Sequence, residues 1–265
     1  MKKKTTIGEV VEWLDSVFHP ELQEDYDNAG FLLGESGKEY QGTLVALDLT
    51  PAVVDEAVEH GLNLIVTHHP FIFSGLKRIT DRGEAGRLVL GLVHNGIAVY
   101  AAHTNLDNLP WGVNGILSEK LGLVNCRILK AMDSSQDAGA GMVGELTRAV
   151  EADKFLLKVK QLTGQPSIRT SAHDPKKRVK RVALCGGAGS FLIGDAIAAG
   201  ADLYLTADMK YHDFQRAEGR IILADAGHYE TEQFAKEIFS RTISEKFSNF
   251  ACRISGKQGS LVQYI

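Results

Sequence analysis

The chain has 265 residues, 44% hydrophobic and 23% charged, with a net charge of -4: enough for a sizeable core, without the broad basic field that nucleic acid requires. Cys126, Cys185 and Cys252 are odd in number, far apart and free of any CxxC spacing, which excludes a disulfide framework and a thiolate zinc knuckle. Lys2, Lys3 and Lys4 run into Glu9, Glu12 and Asp15, not an apolar stretch, and no apolar run reaches membrane-spanning length, so a cytoplasmic protein is expected.

Thr6-x-x-Glu9 reads as a capping box, and Ile7, Val10, Val11, Leu14 and Phe18 follow at helical spacing. Residues 25–34 (DYDNAGFLLG) are turn chemistry leading into a short apolar segment. A buried strand is expected at 44–49. Thr50 and Pro51 then start a helix whose apolar face is Val53, Val54, Ala57 and Val58, closed by Gly61. A second strand at 62–67 ends in His68-His69-Pro70, and a helix at 84–95 leads to a third strand at 97–102. That strand runs into His103-Thr104-Asn105-Leu106-Asp107, and helix resumes at 113–121. The pattern weakens over 125–133, which sets the expected domains at 1–125 and 126–265, with the last helix a candidate to pack back on the first half.

The second half opens with a strand at 144–148 and a helix through Phe155, Leu156, Val159 and Leu162 that Gly164 closes. Residues 171–180 read as a solvated loop, and a strand at 181–185 enters a glycine-rich bend at Gly186, Gly187 and Gly189. A small helix, strands at 202–206 and 220–225, and a helix from Tyr229 to Phe247 complete the pass. The order repeats. Val45-Ala46-Leu47, helix, then 61–67 matches Val182-Ala183-Leu184, helix, then 200–206, with Thr67 and Thr206 at equivalent points. The third strands end in His103-x-x-x-Asp107 and His228-x-x-x-Glu232. The expected fold is α/β: two pseudo-repeated halves with mostly parallel sheets, sites at the strand ends, and a dinuclear metal site in the cleft between the halves.

Histidines at a strand end fit either a metal site or structural hydrogen bonds. Here His68, His69 and His228 join Asp107 and Glu232, a nitrogen and oxygen set suited to Zn, Mn, Fe, Co or Ni. Five ligands exceed one tetrahedral site, and adjacent residues on a strand point to opposite faces. Two ions bridged by Glu232 would satisfy both points and activate a water between them. The glycine-rich bend fits tight-turn packing or a phosphate cradle, and without a Lys the fingerprint is incomplete. His19, His60, His94, His173 and His212 are expected at the surface, and Trp13 and Trp111 in packing.

VTHHPFIF at 66–73, AAHTNLD at 101–107 and GHYETE at 227–232, with DNAGFLLG at 27–34 and CGGAGS at 185–190, resemble the GTP cyclohydrolase 1 type 2 family, also called Nif-three-like. The likeness runs in order along nearly the whole chain. It implies a Nif-three-like fold and two divalent metal ions per chain held by residues matching His68, His69, Asp107, His228 and Glu232. It also implies a toroidal homohexamer and hydrolysis of GTP, a small nucleotide substrate, to 7,8-dihydroneopterin triphosphate and formate. Longer members carry an inserted middle domain, for which this chain is too short. His103 matches the family motif without being one of its usual ligands, which leaves proton transfer or a structural hydrogen bond as its role. Two other functions share the ligand set: a two-metal phosphoester hydrolase, and a metal-binding scaffold or regulatory protein without catalysis.

Overall fold

The computed structural model describes residues 4–263 and 265; Lys2 and Lys3 of the basic start lie outside the described residues. The chain divides into two compact units, Met1–Leu106 with Ala235–Gly259, and Asp107–Phe234 with Ser260–Ile265. The weakening of the pattern near residue 125, the expected boundary, falls inside the second unit.

In the first unit the capping box forms as spaced. Thr6 Oγ1 accepts from the Glu9 amide at 3.2 Å, and the Glu9 carboxylate accepts from the Thr6 amide at 3.0 Å. The helix it starts, α1 (Ile7–Phe18), buries Ile7, Val10, Val11, Leu14 and Phe18, each worth about 1.5–3 kcal/mol of apolar burial. There follow β1 (Gly30–Leu33), β2 (Gly42–Ala46), α2 (Pro51–Glu59), β3 (Leu64–Thr67), α3 (Glu84–Asn95), β4 (Ala98–Ala101) and the short α4 (Thr104–Asp107), whose last residue opens the second unit. β2, β3 and β4 are buried throughout and pair parallel, which is why they read as unbroken apolar runs.

The second unit contains α5 (Val113–Lys120), β5 (Leu123–Met132), β6 (Ser135–Glu151), α6 (Ala152–Thr163), β7 (Arg169–Thr170), β8 (Arg178–Ala188), α7 (Ile193–Ala198), β9 (Leu203–Ala207), α8 (Tyr211–Gln215), β10 (Ile222–Asp225) and α9 (His228–Glu232). Its sheet runs β5-β6-β8-β9-β10-β7. The chain then returns to the first unit with α10 (Ala235–Lys246) and β11 (Ala251–Ile254), giving that sheet the order β1-β4-β3-β2-β11. Phe239 of α10 meets Phe18 edge to face at 5.3 Å, and Trp13 packs on Phe247 at the same separation.

The repeat is visible as topology. Each sheet holds three consecutive parallel strands, β2-β3-β4 and β8-β9-β10, and each third strand carries an antiparallel partner on its outer side, β1 and β7. The register differs between the copies. Val45 faces Val66, whereas Val182 faces Leu203, so an alignment that matches Val45 with Val182 and Thr67 with Thr206 is displaced by two residues. A two-residue shift keeps every side chain on its face, so the apolar pattern hides it.

Four expectations need correction. The second sheet is not mostly parallel, because the long antiparallel hairpin of β5 and β6 leads into it. Where the pattern weakens at 125–133 there is strand: β5 is an edge strand, exposed over much of its length, and carries no apolar alternation to read. β8 begins at Arg178 and continues through Gly186 and Gly187 to Ala188, so the basic loop is shorter and the glycine bend is part of a strand. The helix expected from 229 to 247 is broken between α9 and α10, where the Gln233 side-chain amide donates to the Glu230 carbonyl at 3.2 Å and the Thr163 carbonyl at 2.8 Å. No helix among the described residues is long and apolar enough to cross a membrane.

His173 is not a free surface residue. Its Nδ1 lies 3.0 Å from the Ser171 carbonyl and its Nε2 2.9 Å from an Asp153 oxygen. Burial lowers its pKa, but these acceptors on both nitrogens outweigh burial and leave it raised above the ordinary 6.5. A raised folded-state pKa gives stability that is complete below the unfolded value and lost as pH rises through the folded one. The melting-temperature gap between the wild type and His173→Ala should therefore be wider at pH 5.5 than at pH 8.5, and an equal gap at both would contradict the assignment.

Candidate metal centre

In the first unit three imidazoles meet beyond the strand ends. The ladder of β3 stops at Thr67, and the amides of His68 and His69 both donate to the Leu47 carbonyl, at 3.2 and 3.0 Å. Strand alternation would turn these two side chains apart. The chain bends here instead, and their ring centroids lie 5.0 Å apart. His103, two residues past β4, joins them at 5.3 Å from His68 and 5.4 Å from His69. One ring nitrogen from each of the three falls within 4.8 Å of the others.

The acceptors behind these rings decide which nitrogen faces inward. Nδ1 of His68 lies 2.8 Å from the Ala102 carbonyl, which can only accept, so Nδ1 carries a proton and Nε2 is turned away from that carbonyl. His69 Nδ1 lies 2.6 Å from Asp48 Oδ1, and His103 Nδ1 lies 2.8 Å from Asp27 Oδ1. Burial works to raise the Asp27 carboxyl, but hydrogen bonds from His103, Thr104 Oγ1 and the Asn28 amide overcome it and hold the group well below the usual carboxylate range. Asp27 is thus an ionised acceptor. Asp48 is held in turn by Gln258, whose amide group donates to the Asp48 carbonyl and Oδ2 at 3.2 Å and whose oxygen accepts from the Leu47 amide at 2.6 Å.

The second unit repeats the device. His228 Nδ1 lies 2.7 Å from Asp208 Oδ2, and its Nε2 lies 3.0 Å from Glu232 Oε2 one helical turn on. Glu232 is only 2% exposed. Asp107 closes α4, and its carbonyl accepts from Asn114, whose own oxygen accepts from the Gly186 amide at 2.9 Å. Cys185 ties these carboxylates together electrostatically: burial first, then the negative charges of Asp107 and Glu232, push its thiol far up. It is a neutral thiol and no thiolate ligand.

Gly187 makes room for this arrangement. It sits at φ +61, and a Cβ there would overlap the Glu232 carboxylate and approach His228 Nε2 at 3.2 Å. Its amide donates to Thr231 Oγ1 at 3.0 Å. Gly187, after β8's apolar run, therefore seats the carboxylate.

The first unit thus gathers His68, His69 and His103, and the second pairs His228 with Glu232 and sets the Asp107 and Glu232 charges beside Cys185. A donor set of imidazole nitrogens, each ring fixed through Nδ1 by an acceptor, fits a borderline divalent ion. Asp27, Asp48, Asp208 and Gln258 went unread in the sequence as partners of these histidines. Asp27 lies in the DNAGFLLG motif and Asp48 follows β2, so their positions at motif and strand end were the available signal.

The profile of the Duf34/NIF3 family (NGG1p interacting factor 3) matches residues 5–258. A GTP cyclohydrolase 1 type 2 homolog of Clostridium perfringens is 34% identical over 229 residues, covering 85% of this chain and 86% of that protein. Among solved structures, a Staphylococcus aureus hypothetical protein superposes with a TM-score of 0.90 at 27% identity, over 99% of this chain and all of the other. A Bacillus cereus protein related to NIF3 gives the same score at 23% identity over the full length of both chains, a likeness that speaks for the fold.

Proposed function

The chain belongs to the Duf34/NIF3 family, and from that membership we propose a divalent-metal-dependent hydrolase that uses two ions on a nucleotide-like substrate, converting GTP to 7,8-dihydroneopterin triphosphate and formate. One observation carries the metal part: Nδ1 of His68, His69 and His228 each faces a carbonyl or carboxylate acceptor, which fixes the ring and turns Nε2 toward neighbouring donors, as His228 Nε2 toward Glu232 Oε2 at 3.0 Å. With Asp107 and Glu232 they make the proposed five-ligand set, Glu232 shared between the ions. Zn, Mn, Fe, Co and Ni all suit these donors. The name borne by the Clostridium perfringens relative supports the GTP chemistry.

When bound, such ions supply Lewis-acid activation of a water. The chain's own part is to position and to move protons. His103 is proposed to take up a proton at Nε2, since its Nδ1 donates to Asp27 and that carboxylate would stabilise the resulting imidazolium. At 17% side-chain exposure its ring is reachable from solvent.

Purified protein loaded with one defined metal at a time should release formate from GTP without matching free phosphate. Phosphate without formate would favour the phosphoester hydrolase, and neither product would leave the scaffold reading. A homohexamer is proposed on family membership, so light scattering at micromolar concentration should give the mass of six chains; a monomer mass would remove it.

A further inference from the structure

We propose that Phe73 and Tyr26 form a stacking subsite for the planar base of a nucleoside or nucleotide beside the His68–His69–His103 cluster; the assignment rests on reading that cluster as part of a reaction centre. Phe73 is 50% exposed and Tyr26 64% exposed, large rings left in water although they stand next to each other, with centroids 6.3 Å apart and planes tilted by 43°. The Phe73 centroid is 6.2 Å from the His103 ring at 74°. Core filling does not explain Phe73. Phe71, two residues earlier, already packs against the core cluster of β2, β3 and α3.

The pair is held to the cluster by two short ties. Asp27, next to Tyr26, accepts from His103 Nδ1, and the Asn28 side-chain amide donates to the Ile72 carbonyl at 2.6 Å. The same turn therefore carries one ring of the pair and the acceptor that fixes His103. The loop after β3 carries the other ring together with His68 and His69. An aromatic face stacks any base, because every base has a π-face, and so recognises the ring class without reading its edge. A purine stacked on Phe73 would lie against the imidazoles, where ring-directed hydrolysis would need it.

The test is equilibrium binding of two probes, guanosine 5′-monophosphate and the base-less ribose 5-phosphate, to purified wild-type protein, Phe73→Leu, Tyr26→Leu and Phe73→Trp. Stacking of ordinary strength predicts that each leucine variant weakens the base-bearing probe by about tenfold. Ribose 5-phosphate binding should be unchanged, and Phe73→Trp should bind as the wild type does. Because both rings are exposed, melting temperatures should stay the same. Wild-type protein that binds both probes equally, leucine variants that keep the base-bearing probe, or a parallel loss of both probes would overturn the subsite. The formate assay is independent: base-selective binding without formate release would sink the GTP ring-opening reading and leave the subsite standing.

Discussion

Glu232→Gln should cost the protein at least one of its two proposed ions while making the metal-free protein more stable. Glu232 is nearly fully buried, and it and Asp107 both act on Cys185, so two negative charges share one neighbourhood. With cations present those charges are balanced. Without cations the His228 ring, 3.0 Å from Glu232 Oε2, offsets only part of their repulsion, and what remains costs stability. Gln keeps the volume and removes one charge, so the cation loses a ligand of opposite sign at contact distance, where Coulomb energy is largest. An ion at one hundred times its dissociation constant stabilises a protein by about 2.7 kcal/mol, several degrees of melting temperature for a chain of this size. The wild type should show that rise on adding metal, and the variant most of it lost. A variant that melts below the wild type after chelation and gains as much from metal would contradict the assignment of Glu232.

Gly187→Ala should be strongly damaging although it leaves every proposed ligand in place. At φ +61 a side chain meets its own backbone, a cost of about 1–2 kcal/mol. The new methyl would also occupy space used by the Glu232 carboxylate, so either the strand or the carboxylate must shift. A total loss of roughly 2–4 kcal/mol by urea unfolding is expected, together with reduced metal content. Gly194 in α7 has ordinary φ and open space around its missing Cβ, so Gly194→Ala should be neutral or stabilising by up to about 1 kcal/mol. Equal effects at the two glycines would show that Gly187 has no special task.

The elements that the sequence made legible are those whose burial leaves a mark. α1 and α3 bury one face and show helical spacing, while the parallel strands β2, β3, β4, β9 and β10 are buried throughout and show unbroken apolar runs. β5 buries little, and β11 is a largely exposed strand beside β2, so neither leaves a trace in hydropathy. Within the candidate site, His68, His69, His103, Asp107, His228 and Glu232 were readable because each sits just past a strand or on the helix that follows. Their supports were not. Gln258 reaches Asp48 across 210 residues of chain, and only folding brings such a pair together. Gly187 looked like a loop glycine because its reason lies in the carboxylate of another element.

If His68, His69, Asp107, His228 and Glu232 hold two divalent ions, elemental analysis of metal per chain after gel filtration should show it. His94, exposed on α3, is the control. The wild type and His94→Gln should each carry about two ions per chain, His69→Ala about one, and Glu232→Gln one or none. Wild-type content in Glu232→Gln, or the same loss in His94→Gln as in His69→Ala, would contradict the account.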